Sequence, residues 1–199
     1  MYIGLSFKFH DRGEVEKFLA FLERHLDVEY LVDVRLTHVY VQLQGDEKKL
    51  EEAAALVKSL AGLARRGRER RRVPLLVLFR DVELARPIPP DVIADALTLR
   101  GYPSAVKGSA LETTAEYEEV LKTAEALSKM YLEAEGLRIT PHAKRVVVAY
   151  AYATGKGLEE AVEELAKAGV LNRGELISLR KPLEEAREAI LKIVEKKAP

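Results

Sequence analysis

The chain has 199 residues, of which 48% are hydrophobic and 32% charged, with 32 basic side chains balancing 32 acidic ones and no cysteine. This is the composition of a folded globular protein; it excludes disulfides, thiolate catalysis and sulfur-ligated zinc. The longest apolar run, Val146–Ala153, falls far short of a membrane span, and MYIGLSFKF lacks a signal-peptide pattern, so the expected location is the cytoplasm, with no membrane partner.

In chain order, Ile3, Leu5, Phe7 and Phe9 alternate with Tyr2, Gly4, Ser6 and Lys8, the period of a half-buried strand. Asp11 with Glu14 three residues on forms a capping box for a helix carrying Val15, Phe18, Leu19, Leu22 and Leu26 on one face. Two more alternating strands follow, through Val28–Val34 and Val39–Leu43. Gly45-Asp46 opens a second helix with Leu50, Ala53, Val57, Leu60 and Ala64 on its apolar stripe. The arginine-rich run ARRGRERRRV leads into an expected edge strand over 73–79, with Pro74 near its start. The order strand, helix, strand, strand, helix, strand is the βαββαβ unit of ferredoxin-like domains. The fold class expected is therefore α+β: a ferredoxin-like α/β sandwich domain over 1–80, a linker at 81–90 with three prolines, and a mainly helical domain over 91–199 that includes a short β-hairpin.

In that second part a short helix covers 91–100, and a hairpin turns at Gly108-Ser109 between 104–107 and 110–112. Thr113 with Glu116 reads as the cap of a long helix that stops at Gly136. Thr140-Pro141 starts the next helix, apolar nearly all round at VVVAYAYA and hence expected to be central. Amphipathic helices follow over 158–168 and 183–197, and no internal repeat is visible.

The stretches GYPSAVKGSALETTAEYEEV and TPHAKRVVVAYAYATGKGLEEAVEEL resemble an archaea-restricted family of uncharacterised proteins, the domain of unknown function 2067. The resemblance implies an archaeal source and carries over no catalytic residue. It agrees with the single asparagine and two glutamines against 25 glutamates and 17 arginines, a bias that fits a hyperthermophile.

Two surfaces are candidates for binding. Arg65, Arg66, Arg68, Arg70, Arg71 and Arg72 put six guanidiniums within eight residues, and phosphate would relieve their mutual repulsion. Helix-end solvation, which suits Arg65 and Arg66, and pairing with the chain's glutamates are the plainer readings. Tyr40 and Lys8 face outward from the two central strands, with Tyr2, Ser6, His38 and Gln42 beside them, where an RNA-binding sheet carries its stacking aromatics. Leu31, Leu76 and Leu78 fall on that same face, which predicts that the C-terminal helices cover it.

His10, His25, His38 and His142 show no metal-ligand spacing, and the chain lacks a nucleophile elbow and a phosphate loop. No catalytic residue, metal site or cofactor is expected. The acidic helix LEEAVEELAKAG is unfit to enter a DNA groove. The reading reached is a non-enzymatic RNA-binding module using the 65–72 run. The alternative is a protein-interaction or self-association module with no nucleic-acid role.

Overall fold

The computed structural model describes residues 1–197, a mixed α/β chain of eight α-helices and small antiparallel sheets. β1 (Tyr2–Lys8), β2 (Glu29–Arg35) and β3 (His38–Gln44) form the first sheet in the order β1-β3-β2. Its inward residues, led by Val39, Val41 and Leu43, pack on α1 (Arg12–His25) and α2 (Glu47–Ala64). Both helices start as their sequences dictate: Asp11 accepts the N–H of Glu14 at 3.0 Å, and Asp46 that of Lys49 at 3.0 Å.

The expected fourth strand does not complete this sheet. β4 is confined to Arg71–Pro74, and residues Leu75–Asp81 form a short helix, α3. An unbroken apolar run such as VPLLVLF fits a buried strand or a helix equally by pattern. What decides it is remote: β4 pairs antiparallel with β6 (Ala110–Thr113), and the Leu75 N–H donates to Ser109 O at 2.9 Å. The sheet order β1-β3-β2 is therefore not the closed ferredoxin-like arrangement.

Instead the chain repeats itself. β4, α3, α4 (Pro90–Leu99), β5 (Ser104–Lys107), β6 and α5 (Tyr117–Glu133) form a second unit with sheet order β4-β6-β5, again antiparallel throughout. First strand pairs with third and second with third, as in the first sheet, and each hairpin has a two-residue turn, Leu36-Thr37 and Gly108-Ser109. Both turns carry a positive φ at their first residue, 55° at Leu36 and 60° at Gly108. The repeat escapes the sequence because it lies in topology alone; the strands are seven residues long in one unit and four in the other. By strand pairing the chain divides at the 65–70 loop, and the proline-rich 81–90 segment lies inside the second unit, its Ala85 N–H donating to Ser128 Oγ at 3.0 Å.

Thr113 ends β6 rather than capping a helix: its Oγ1 accepts from the Ala115 N–H at 3.0 Å, and Glu116 takes the N-cap position of α5. α6 (Pro141–Thr154) begins at Thr140, which accepts the Ala143 N–H, and ends at Gly155 in the left-handed region, φ 72°. It is buried along most of its length. α7 (Leu158–Lys167), an unanticipated hairpin of β7 (Leu171–Arg173) and β8 (Ile177–Leu179), and α8 (Leu183–Lys197) complete the fold. One apolar core runs from Phe9 in the first unit to Ile190 in α8.

Candidate nucleic-acid interface

The arginine run resolves into residues with distinct tasks. Arg71 is 4% exposed and directs its fork of five N–H donors at five backbone carbonyls. Nε donates to Gly62 O at 3.2 Å; Nη1 donates to Thr114 O at 3.1 Å and to Ala115 O; Nη2 donates to Arg65 O at 3.3 Å and Gly67 O at 2.9 Å. Burial pushes its pKa below the usual arginine value. With every donor engaged, Arg71 is a clamp that fastens the loop after α2 to the junction of β6 and α5. Alternation within β4 explains its inward aim, since Val73, two residues on, is also buried.

The neighbouring arginines are held at the surface. Arg65 lies over the Phe9 ring at 5.1 Å, and its Nη2 donates to Lys8 O at 3.4 Å. Arg66 pairs with Asp11, and its backbone N–H donates to the buried Glu14 carboxylate at 2.9 Å. Burial alone would raise the Glu14 pKa, but the N–H groups of Arg66 and His10 outweigh it and hold the carboxyl below its ordinary value. Arg70 reaches Glu112 at 2.8 Å, and Lys107 meets the same carboxylate at 3.2 Å. Arg68 sits over the Tyr102 ring at 5.0 Å. Among the described residues Arg68 and Arg72, both exposed, have no carboxylate partner.

The outward face of the first sheet is open, contrary to the expectation that helices cover it. Its cross-strand rows read Tyr2–Gln44–Glu29, Gly4–Gln42–Leu31, Ser6–Tyr40–Asp33 and Lys8–His38–Arg35. Tyr2 is 64% exposed, Leu31 71% and Tyr40 44%. Leu78 turns into the core on α3, and Leu76 on the same helix points away from it, so neither shields this face.

Tyr40 lies down on the sheet. A Cβ built on Gly4 would collide with Tyr40 Oη and come within 3.0 Å of Cε2 and Cζ. The missing side chain at Gly4 thus makes room for the ring, which rests on the backbone of the adjoining strand with its outer side toward solvent. Lys8 and Arg35 set two cations on either side of His38 in the row next to it, with Arg35 also 3.2 Å from Asp33. Gln42 and Gln44 add amide donors and acceptors.

The remaining ionisable clusters are internal ties. Asp81 accepts from Tyr117 Oη at 2.7 Å and lies 3.0 Å from His25 Nε2 and 3.2 Å from Arg24, joining α1, α3 and α5. Asp95 holds Arg145 at 2.6 Å and Arg187 at 2.8 Å across α4, α6 and α8. His10 is spent on Glu14, 3.1 Å away. Among the described residues no three His, Cys, Asp or Glu side chains gather as metal ligands, and no helix is long and apolar enough to cross a membrane. The site thus brings Tyr40 together with Lys8 on one sheet, and Arg68, Arg70 and Arg72 together near the other, while Arg71 is withdrawn. Sequence reading missed Arg35, Tyr102 and Lys107; the first two sit beside a turn with no local signal, and Lys107 is identified only by its meeting with Arg70 over Glu112.

A sequence model described as an uncharacterised protein conserved in archaea, the domain of unknown function 2067, matches residues 7–188. No curated protein matches the chain. A chain in the crystal structure of an a/eIF2alpha-aDim2p-rRNA complex from Pyrococcus horikoshii OT3 is similar at 10% identity, covering 84% of this chain and 94% of that one. Its TM-score of 0.22 means that the two folds do not superpose.

Proposed function

We propose that this chain, which belongs to that archaeal family of domain of unknown function 2067, is a binding module for single-stranded RNA. The observation that carries the reading is Tyr40, laid flat over Gly4 at the centre of a sheet face that none of the described residues covers. An exposed, pre-positioned aromatic ring on a sheet is a stacking platform for a splayed base. The Lys8–His38–Arg35 row stands where the strand's phosphates would pass, and Gln42 and Gln44 offer bonds to base edges or a 2′-hydroxyl. The modest number of cations keeps the electrostatic share of affinity small.

The test is anisotropy titration of labelled oligouridylate at low and moderate salt. Tyr40→Ala is expected to weaken binding by about 5- to 150-fold, the value of one stacked base, with an unchanged circular dichroism spectrum. Equal affinity of variant and wild type would remove the platform. No binding by the wild type at low salt would remove the RNA reading.

A second reading, a protein-interaction or self-association module, is favoured by one feature. Leu76 is 88% exposed beside an open groove of about 1,090 Å³ with Leu26, Leu56 and Phe79 on its floor. Sedimentation of wild type beside Leu76→Asp tests it: a concentration-dependent dimer lost in the variant supports it, and a monomer in both excludes self-association there.

A further inference from the structure

The second unit presents different chemistry on the same framework. Aligning the two sheets by their pairing sets Arg72, Glu112 and Lys107 at the outward positions that Ser6, Tyr40 and Arg35 occupy in the first. Val73 and Leu111 face inward as Phe7 and Val39 do. Where the first sheet carries an aromatic ring, the second carries a carboxylate that draws two cations together, Arg70 at 2.8 Å and Lys107 at 3.2 Å. An aromatic ring of this unit lies at the end of its sheet: Tyr102, two residues before β5, with the Arg68 guanidinium 5.0 Å from its ring centroid.

We infer that Arg68 on Tyr102 is a second nucleotide subsite, with Arg70, Arg72 and Lys107 as its phosphate contacts, so that one RNA strand engages both units; this rests on the RNA-binding reading above. Three observations support it. A guanidinium held against an aromatic ring offers its other side to a base and keeps its edge donors for phosphate, and among the described residues no carboxylate takes those donors at Arg68. The local balance is cationic: Arg68, Arg70, Arg72 and Lys107 against Glu69, Glu112 and Glu116, the last accepting the Gly67 N–H at 2.7 Å. The Arg71 clamp fixes the loop that bears these groups through carbonyls of Arg65 and Gly67 on its two sides of Arg66, so little ordering entropy remains to be lost on binding.

The same loop connects the two surfaces. Its first residue, Arg65, touches Lys8 O at the cationic end of the first sheet, and Arg70 meets Glu112 on the central strand of the second. Two linked subsites raise affinity by effective concentration, without any new contact, once the RNA is long enough to span both.

The experiment compares labelled oligouridylates of about 5 and about 20 nucleotides, one within and one beyond the span of a single small site. Binding is measured for wild type, Arg68→Ala, Tyr102→Ala, Arg68→Lys and Tyr40→Ala, each checked for thermal stability. Arg68→Ala and Tyr102→Ala are expected to weaken binding of the long RNA by about tenfold or more while leaving the short RNA bound as in wild type. Arg68→Lys keeps the charge but loses the plane, and is expected to recover only part of the loss. Wild-type affinity of both alanine variants for the long RNA would overturn the subsite and leave the Tyr40 platform standing. Loss of both lengths in Arg68→Ala with Tyr40→Ala silent would support the subsite and overturn the platform. Failure of the wild type to bind either length would overturn both.

Discussion

The first and second units are built on one plan and dressed in opposite chemistry. Each places its third strand between the other two and turns its hairpin through two residues, the first at positive φ. Their inward sides match, Phe7 and Val39 against Val73 and Leu111. Their outward sides do not: one is broad, nearly uncharged at its centre and aromatic, the other narrow, with Arg72, Glu112 and Lys107 on it. The core constrains a side chain by volume and polarity, whereas an outward position on the same strand is free to change. Shared backbone with divergent surface is what a duplicated module shows when its copies take different parts of one ligand, which is the arrangement proposed here.

The comparison is broken most severely at the junction. Arg71→Ala strands four carbonyls that one side chain satisfied, Gly62 O keeping the Arg65 N–H, and the expected loss is about 3 kcal/mol, read by chemical denaturation. A loss below about 1 kcal/mol would mean that water replaces the clamp without penalty. Gly4→Val acts on the first unit alone: the added side chain lifts the Tyr40 ring, so RNA affinity should fall as in Tyr40→Ala while the second subsite is untouched. Wild-type affinity in that variant would show that the ring's posture does not matter.

Acid sharpens the contrast between the units. Glu14 in the first is buried and held below its ordinary value of 4.5 by N–H donors; Glu112 in the second is held down by hydrogen bonds from Arg70 and Lys107 but is partly exposed, against the fully buried Glu14. A carboxylate depressed in the folded state contributes stability above its unfolded pKa and loses it as pH falls through the folded one. Stability should therefore decline below about pH 4.5, and Glu14→Gln should flatten that decline far more than Glu112→Gln. Equal flattening would mean that burial does not separate the two.

The hairpin turns give the smallest and most symmetrical test. Leu36, 92% exposed at φ 55°, holds a conformation that costs a side chain about 1 kcal/mol, whereas Gly108 holds the equivalent one freely. Leu36→Gly should stabilise the protein by up to about 1 kcal/mol, and Gly108→Leu should destabilise it by a similar amount. Melting temperatures moving the same way in both would refute the equivalence of the turns.

Much of this fold is legible from local pattern. Alternation from Ile3 to Phe9, the Asp11 and Asp46 caps and the Thr140-Pro141 start all give their elements directly. The misread segment, 75–81, has a pattern that serves strand or helix, and the deciding partner at Ala110–Thr113 lies more than thirty residues away. The same limit applies to the site. Alternation aims Tyr40 and Lys8 outward, but whether a helix covers them is a tertiary fact. Within the arginine run, six residues of one type look equivalent until β4 is placed; Val73 then fixes Arg71 on the inner side and leaves Arg72 on the outer. Tyr102 becomes visible only when the loop bearing Arg68 folds over it.

Arg71 also sets an order of events during synthesis. Residues 1–64 contain a complete three-stranded sheet with its two helices, and can settle as they leave the ribosome. The guanidinium that locks the following loop finds two of its acceptors, at Thr114 and Ala115, more than forty residues later. Until that stretch emerges, β4 is an unpaired strand that contains Arg71 and Arg72 and follows four more arginines. Charge on an unpaired strand disfavours edge-to-edge association, so the arginines that the finished protein disperses also suit the interval before β6 exists.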